Sequence, residues 1–141
     1  MIIRSATTGD CFALSALLAE LGYPDNERFI EARVQQLIDH PDERLLIAAD
    51  GNNVLGFLSL HFIPQLALAG DFARVSYFCV ADGQRSKGAG HQLINAAQEM
   101  ARERGCDRME LHCHERRTKA LGFYAREGYR ESSKYLIKYL T

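Results

Sequence analysis

A chain of 141 residues with 47% apolar content is long enough for one domain with its own core, and too apolar for disorder. Its 17 basic residues nearly balance 18 acidic ones, for a net charge of −1, which excludes the broad positive field of a nucleic-acid grip. No apolar run reaches membrane-spanning length, Met1-Ile2-Ile3-Arg4-Ser5 is no signal peptide, and Cys11, Cys79, Cys106 and Cys113 form no CxxC pair, so a cytoplasmic chain with reduced thiols is expected.

Residues 1–6 alternate and predict a short strand. Asp10 suits a helix N-cap, and Leu14, Leu17, Leu18 and Leu21 then recur on one helical face up to Gly22. Tyr23-Pro24-Asp25 reads as a turn. Ile30, Val34, Leu37 and Ile38 predict a second helix ending before Pro41. Leu45–Ala49 and Val54–Phe62 flank Asp50-Gly51-Asn52-Asn53, which predicts a hairpin with a four-residue turn. A loop from Pro64 to Asp71 leads into a third core strand, Phe72–Val80.

A polar, glycine-rich turn, residues 81–90, opens the next helix, whose apolar face is Leu93, Ala97, Met100 and Ala101 and whose end is Gly105. Met109, Leu111 and Cys113 alternate as a strand. Residues 118–127 form a short helix closed by Gly128, and 129–140 are a final extended segment. The order β α α β β β α β α β predicts a single α/β domain over 1–141, a mixed sheet with helices on both faces.

The strongest chemical signal is strand, then Gln84-Arg85-Ser86-Lys87-Gly88-Ala89-Gly90, then helix. Unpaired N–H groups and the positive dipole end of a helix favour an anion there. Glycines admit a ligand close to the backbone, and Arg85 and Lys87 add charge, which suits a diphosphate. Two phosphate-loop patterns fail. Ala89 and Gly90 stand where GxxxxGK[ST] needs Lys and Ser or Thr, and Leu93 replaces the third glycine of GxGxxG.

The pattern R-x-x-G-x-G fits fully through Arg85, Gly88 and Gly90. Here the chain resembles the GCN5-related N-acetyltransferases (GNAT), whose pyrophosphate loop for coenzyme A has this form. A second motif of that family, N-x-x-A-x-x-[FL]-Y-x-x-x-G-[FY], matches Ala120, Phe123, Tyr124, Gly128 and Tyr129, with Arg117 in place of Asn. The resemblance covers about residues 1–140, and the tail looks like that of small bacterial single-domain members, among them aminoalkylphosphonate and aminoglycoside-type enzymes.

The resemblance implies a GNAT fold with antiparallel N-terminal strands and splayed, parallel strands 4 and 5. It implies acetyl-CoA as cosubstrate, without a metal. The pantetheine would pair with the main chain of Phe78, Cys79 and Val80, and the pyrophosphate would sit on N–H groups from Arg85 through Ser86, Lys87, Gly88 and Ala89 to Gly90. Tyr124 matches the family tyrosine that protonates the leaving thiolate; packing of the last helix is its other reading. The acceptor would be a primary amine, attacked directly. A small molecule is the first expectation, and a protein lysine or N-terminal amine the alternative.

Related enzymes often carry a glutamate where this chain has Tyr77, and neither Arg74 nor Ser76 replaces it. The base is therefore unassigned, with a water chain or a histidine open, and a non-catalytic coenzyme A binder is a further reading. A binder of another nucleotide at Arg85–Gly90 is a third. His112 and His114 share one face of their strand and read as pocket residues or solvated strand-end residues, with zinc disfavoured by the lack of further ligands. Arg116 and Arg117 reach phosphates or solvent. Cys79 and Cys113 read as small buried residues. The resemblance implies no nucleic-acid or membrane partner, and homodimers are common in the family.

Overall fold

The structure, a computed structural model, describes residues 1–83, 88–113, 116–132 and 134–141. The chain divides into two compact units, Met1–Glu110 and Leu111–Thr141.

The first unit is built on a sheet of β1 (Ile2–Ser5), β2 (Glu43–Asp50), β3 (Asn53–Ile63), β4 (Phe72–Val80) and β5 (Met109–Leu111), in that spatial order. β1 to β4 pair antiparallel in succession. β5 runs parallel to β4: Asp107 N–H donates to Asp71 O at 2.8 Å and Ala73 N–H to Arg108 O at 3.0 Å. A parallel neighbour requires a crossover, and α3 (Ala89–Glu103) supplies it. The mixed sheet expected from the sequence is thus present.

Strand alternation sorts the core into two layers. Leu45, Ile47, Ala49, Phe57 and Cys79 point to one face, where Leu14 and Leu17 of α1 (Cys11–Leu21) and Val34 of α2 (Ile30–Asp39) cover them. Leu46, Leu58 and Leu60 point to the other, and α3 packs on β2, β3 and β4 with Leu93, Ile94 and Ala97 buried. Gly22, at φ 112°, ends α1 in the left-handed region as expected.

Several boundaries differ from the sequence expectation. Asp50 pairs with Asn53, so the hairpin turn is two residues, Gly51-Asn52, rather than four. Gly51, at φ 59°, permits the tighter turn. Cys113 lies beyond β5, which ends at Leu111. No strand forms among the described residues of 129–141, and Tyr135, Leu136, Ile137, Tyr139 and Leu140 are exposed. Apolar residues such as Tyr135–Ile137 suit an extended chain; a strand also needs a ladder partner.

Asp10 flanks α1, but its carboxylate caps no N–H of that helix. It turns back instead. Oδ2 accepts from Thr7 N–H at 2.8 Å, and both oxygens accept from the Arg4 guanidinium at 2.8 Å. Asp10 is 5% exposed. The Arg4 hydrogen bond holds its carboxyl below the usual carboxylate range, against the opposing effect of burial. A lowered folded-state pKa gives stability that is present above the unfolded value and lost as pH falls through the folded one. Asp10→Asn is expected to cost about 1–3 kcal/mol at neutral pH. In thermal melts from pH 7 to pH 3, the gap between wild type and variant should narrow as pH falls.

Candidate active site

The end of β4 and the start of α3 form the centre of the site within the first unit. In an antiparallel ladder, successive residues direct their peptide groups alternately toward and away from the neighbouring strand. Ala81 N–H donates to Leu55 O at 2.8 Å, and Cys79 stands opposite Phe57. The peptide groups of Ala81 and Cys79 therefore face β3. Those of Phe78 and Val80 turn away from it, toward the side on which β5 joins the start of β4. Gly56, opposite Val80, is what lets the two strands approach: a Cβ there would lie 2.7 Å from the Cys79 carbonyl oxygen.

Past Val80 the chain turns into α3. Gly88 caps that helix at φ 80°, its carbonyl accepts from Gln92 N–H at 3.1 Å, and, chain neighbours and the helix's own backbone aside, no atom of the described residues lies within 4 Å of where its Cβ would be. Ala89 and Gly90 follow as the first helical residues, both buried. Arg85, Ser86 and Lys87 lie outside the described residues, as does His114.

β4 also carries a bulge. Tyr77 pairs with Ser59 and Val75 with Leu60, so Ser76 has no opposite number on β3. The extra residue breaks the alternation. Tyr77 and Ser76 both serve the face covered by α1 and α2: the Tyr77 ring meets Tyr23 edge-on, centroids 5.3 Å apart at 86°, and the Ser76 hydroxyl hydrogen-bonds His61 Nε2. On its other side, the His61 ring contacts the Glu43 carboxylate through Nδ1. Glu43 pairs with His61 across β2 and β3. Sequence spacing gave no signal for this three-strand row, because 43, 61 and 76 meet only through the register.

At its other end β4 is tied to β5 by charge. Glu110 accepts from Arg74 at 3.0 Å and from Arg108 at 2.9 Å, and both guanidinium groups lie over the Phe72 ring, at 5.6 and 4.4 Å. Burial pushes the Glu110 carboxyl up, but these two hydrogen bonds outweigh it and leave it below its ordinary value.

In the second unit, Tyr124 lies on α4 (Thr118–Arg126) and is 9% exposed. Its ring packs edge-on against Phe123 and Tyr129, at 5.5 and 6.0 Å. Burial first, and the neighbouring Cys113 second, push its phenol up to about 12, so it stays protonated at neutral pH. The α4 cap uses Gly128 at φ 93°, with Tyr129 N–H donating to Tyr124 O at 2.9 Å. The His112 ring stacks on Tyr135 at 4.2 Å. Arg117 stands at the N-cap of α4.

Cys79 is buried, its thiol 3.6 Å from Leu17 O, while Cys113 is partly exposed. Burial pushes the thiols of Cys11 and Cys106 up, away from the reactive thiolate. Among the described residues, no group of three or more His, Cys, Asp or Glu could hold a metal ion, and no helix is long and apolar enough to cross a membrane.

The acetyltransferase (GNAT) family model matches residues 12–129. The chain is 33% identical over 132 residues to the aminoalkylphosphonate N-acetyltransferase of Salmonella typhimurium, covering 92% of this chain and 85% of the relative. A crystal structure of a transcriptional regulator from Bacillus halodurans superposes with a TM-score of 0.91 at 26% identity, covering 99% of each chain. A GNAT family acetyltransferase of Staphylococcus aureus shares the fold at TM-score 0.82 and 23% identity, covering 99% of this chain and 98% of the other. The chain belongs to the GNAT acetyltransferase family.

Gly88 gives the sharpest test of the loop. Its left-handed backbone tolerates Asn and Asp better than other residues, and its Cβ direction is open. If acetyl-CoA stabilises the wild type, Gly88→Asp is expected to fold but to lose that thermal shift, while Gly88→Asn keeps most of it. Unchanged acetyl-CoA affinity in folded Gly88→Asp would show that no phosphate sits there.

Proposed function

We propose that this protein transfers the acetyl group of acetyl-CoA to the primary amine of a small molecule, acting as one domain over residues 1–141. The observation that carries the reading is the left-handed Gly88 cap that opens α3 directly after β4, in a chain matched by the GNAT family model over residues 12–129. An extended pantetheine chain fits beside such a strand, and a diphosphate fits the loop. Arg85 and Lys87 belong to that loop in sequence, and their charge suits the same anion. The amidated arm would follow the Phe78–Val80 stretch through backbone hydrogen bonds, as an added strand does.

The small-molecule acceptor is supported by the relative that acetylates aminoalkylphosphonates, at 33% identity over most of the chain. Acceptor nitrogen attacks the thioester carbonyl, a C–N bond forms and the C–S bond breaks. The acceptor, an ammonium ion at neutral pH, loses one proton before it attacks and a second after the C–N bond forms; one proton goes to the leaving thiolate, the other to solvent, and the thiolate's proton donor is reprotonated in turn. Tyr124 is the proton donor in this reading: a buried phenol held protonated supplies that proton or a hydrogen bond to sulfur. A homodimer in the cytoplasm is the setting that accords with the family.

The first test is a thermal melt with acetyl-CoA, ATP and NAD, read by an external dye because the chain has no Trp. A ligand at a hundred times its dissociation constant adds about 2.7 kcal/mol, a shift of several degrees for a domain of this size. A shift with acetyl-CoA alone is expected, together with acetylation of 2-aminoethylphosphonate or another small amine. Tyr124→Phe should lower kcat by roughly 100-fold while the acetyl-CoA shift persists. A kcat unchanged in Tyr124→Phe would remove the phenol from the reaction.

A further inference from the structure

We propose that two copies of this chain associate through the C-terminal tail, residues 130–141, which adds as an extra strand to the open edge of β5 of the second copy. The association gives the homodimer of the preceding reading its surface and does not depend on acetyl transfer.

The tail is not covered by its own chain. Every described residue from Arg130 to Thr141 is exposed, Leu136 to 87% and Leu140 to 90%. Tyr135, Ile137 and Tyr139 are exposed with them. Single apolar residues on a surface are ordinary, but a contiguous apolar run marks a contact surface. The unit that carries the tail shows the same deficit. Among the described residues of 111–141, Tyr124 alone is buried, and a unit of about 30 residues seldom closes a core by itself.

Area and charge both point to a second copy. The chain presents 9575 Å² of surface, whereas a folded monomer of 15.9 kDa presents about 7,400 Å². Two copies therefore have roughly 4,000 Å² to cover, within the range of obligate homodimers. Of the 18 acidic residues, 15 lie in the first unit, against ten basic ones, while the second unit carries seven basic residues and three acidic. The tail itself has Arg130, Lys134 and Lys138 against Glu131. Left exposed by its own chain, it is attracted to the first unit of another.

The landing place is the sheet edge. β5 is the last strand in the sheet order, with β4 as its one strand neighbour among the described residues. Its outer edge presents N–H and C=O groups that a further strand can take up. The tail forms no ladder of its own, yet Tyr135, Ile137 and Tyr139 are residues that strands favour. Strand addition gives both sets of backbone groups their partners. The exchange is mutual, so two copies satisfy both tails and both edges and leave neither for a third. Within the second unit the tail adjoins the residues around Tyr124: the Tyr129 ring packs on Tyr124 at 6.0 Å, and Tyr135 on His112 at 4.2 Å. Covering the tail thus also holds the unit that carries the proposed proton donor.

The test uses the full chain without acetyl-CoA. Sedimentation equilibrium of wild type at micromolar concentration should give twice the chain mass of 15.9 kDa. Leu136→Glu combined with Ile137→Glu charges two exposed positions, so this variant is expected to keep the wild-type circular dichroism spectrum. Its dimer dissociation constant should rise by roughly 100-fold or more. Leu66→Glu, at an exposed apolar residue of the β3–β4 loop, should leave the dimer unchanged. Carbodiimide cross-linking of mixed heavy- and light-isotope copies should join Lys134 or Lys138 of one copy to Glu110 of the other. A monomeric wild type, a double variant that stays dimeric, or links confined to single copies would overturn the proposal. A monomer whose tail binds phosphatidylglycerol vesicles would also overturn it, and would assign the tail to a lipid surface. None of these readouts involves acetyl transfer, so either reading can fail alone.

Discussion

The register between β3 and β4 sets which peptide groups of β4 face β3 and which face away from it. With Cys79 opposite Phe57, Phe78 and Val80 turn their backbone groups away from β3. A slip of one residue would exchange the two sets and, at the same time, move Cys79 out of the core and Phe78 into it. The register is therefore enforced by burial as well as by hydrogen bonds. Gly56 is part of the same constraint, since any side chain there would strike the Cys79 carbonyl.

The two ends of β4 are stabilised by different chemistry. Near Phe72 the strand is joined to β5 through Arg74, Glu110 and Arg108, with the Phe72 ring beneath both guanidinium groups. Such partly exposed pairs contribute little singly, but a shared carboxylate and a shared ring fix the direction of β5 at its start. Near Val80 the strand is held by β3 and by the α1 side of the core, where Cys79 lies against Leu17. Asp10 does comparable work at the first turn, closing the segment between β1 and α1 through Arg4 and Thr7.

Much of this was legible in the sequence. Periodicity located α1, α2 and α3, and the glycines at 22, 105 and 128 marked helix ends that do use left-handed backbone. Two short motifs pointed to the family that the match over residues 12–129 then established. Three features escaped for physical reasons. The tail from 129 reads as an extended segment and ends in apolar residues, yet pairing is a property of two segments, and one segment's sequence does not supply it. Asp10 has the chemistry of a cap, but the cation at Arg4 competes for the same oxygens. The Glu43, His61 and Ser76 row depends on a bulge, and a bulge changes the phase of alternation without leaving a composition signal.

That bulge divides β4 into two segments whose phases are independent. Val75 keeps the core phase before it, and Phe78 and Val80 keep the outward phase after it. Ser76 belongs to neither, so its side chain can be exchanged without turning a core residue outward or an outward peptide group inward. The strand thus behaves as two modules with a joint between them. In the proposed function one segment would carry the track for the cosubstrate, while the joint is a position that can change independently of it. Diversification at a single unpaired position, against an unchanged track, is the evolutionary route that such a joint opens.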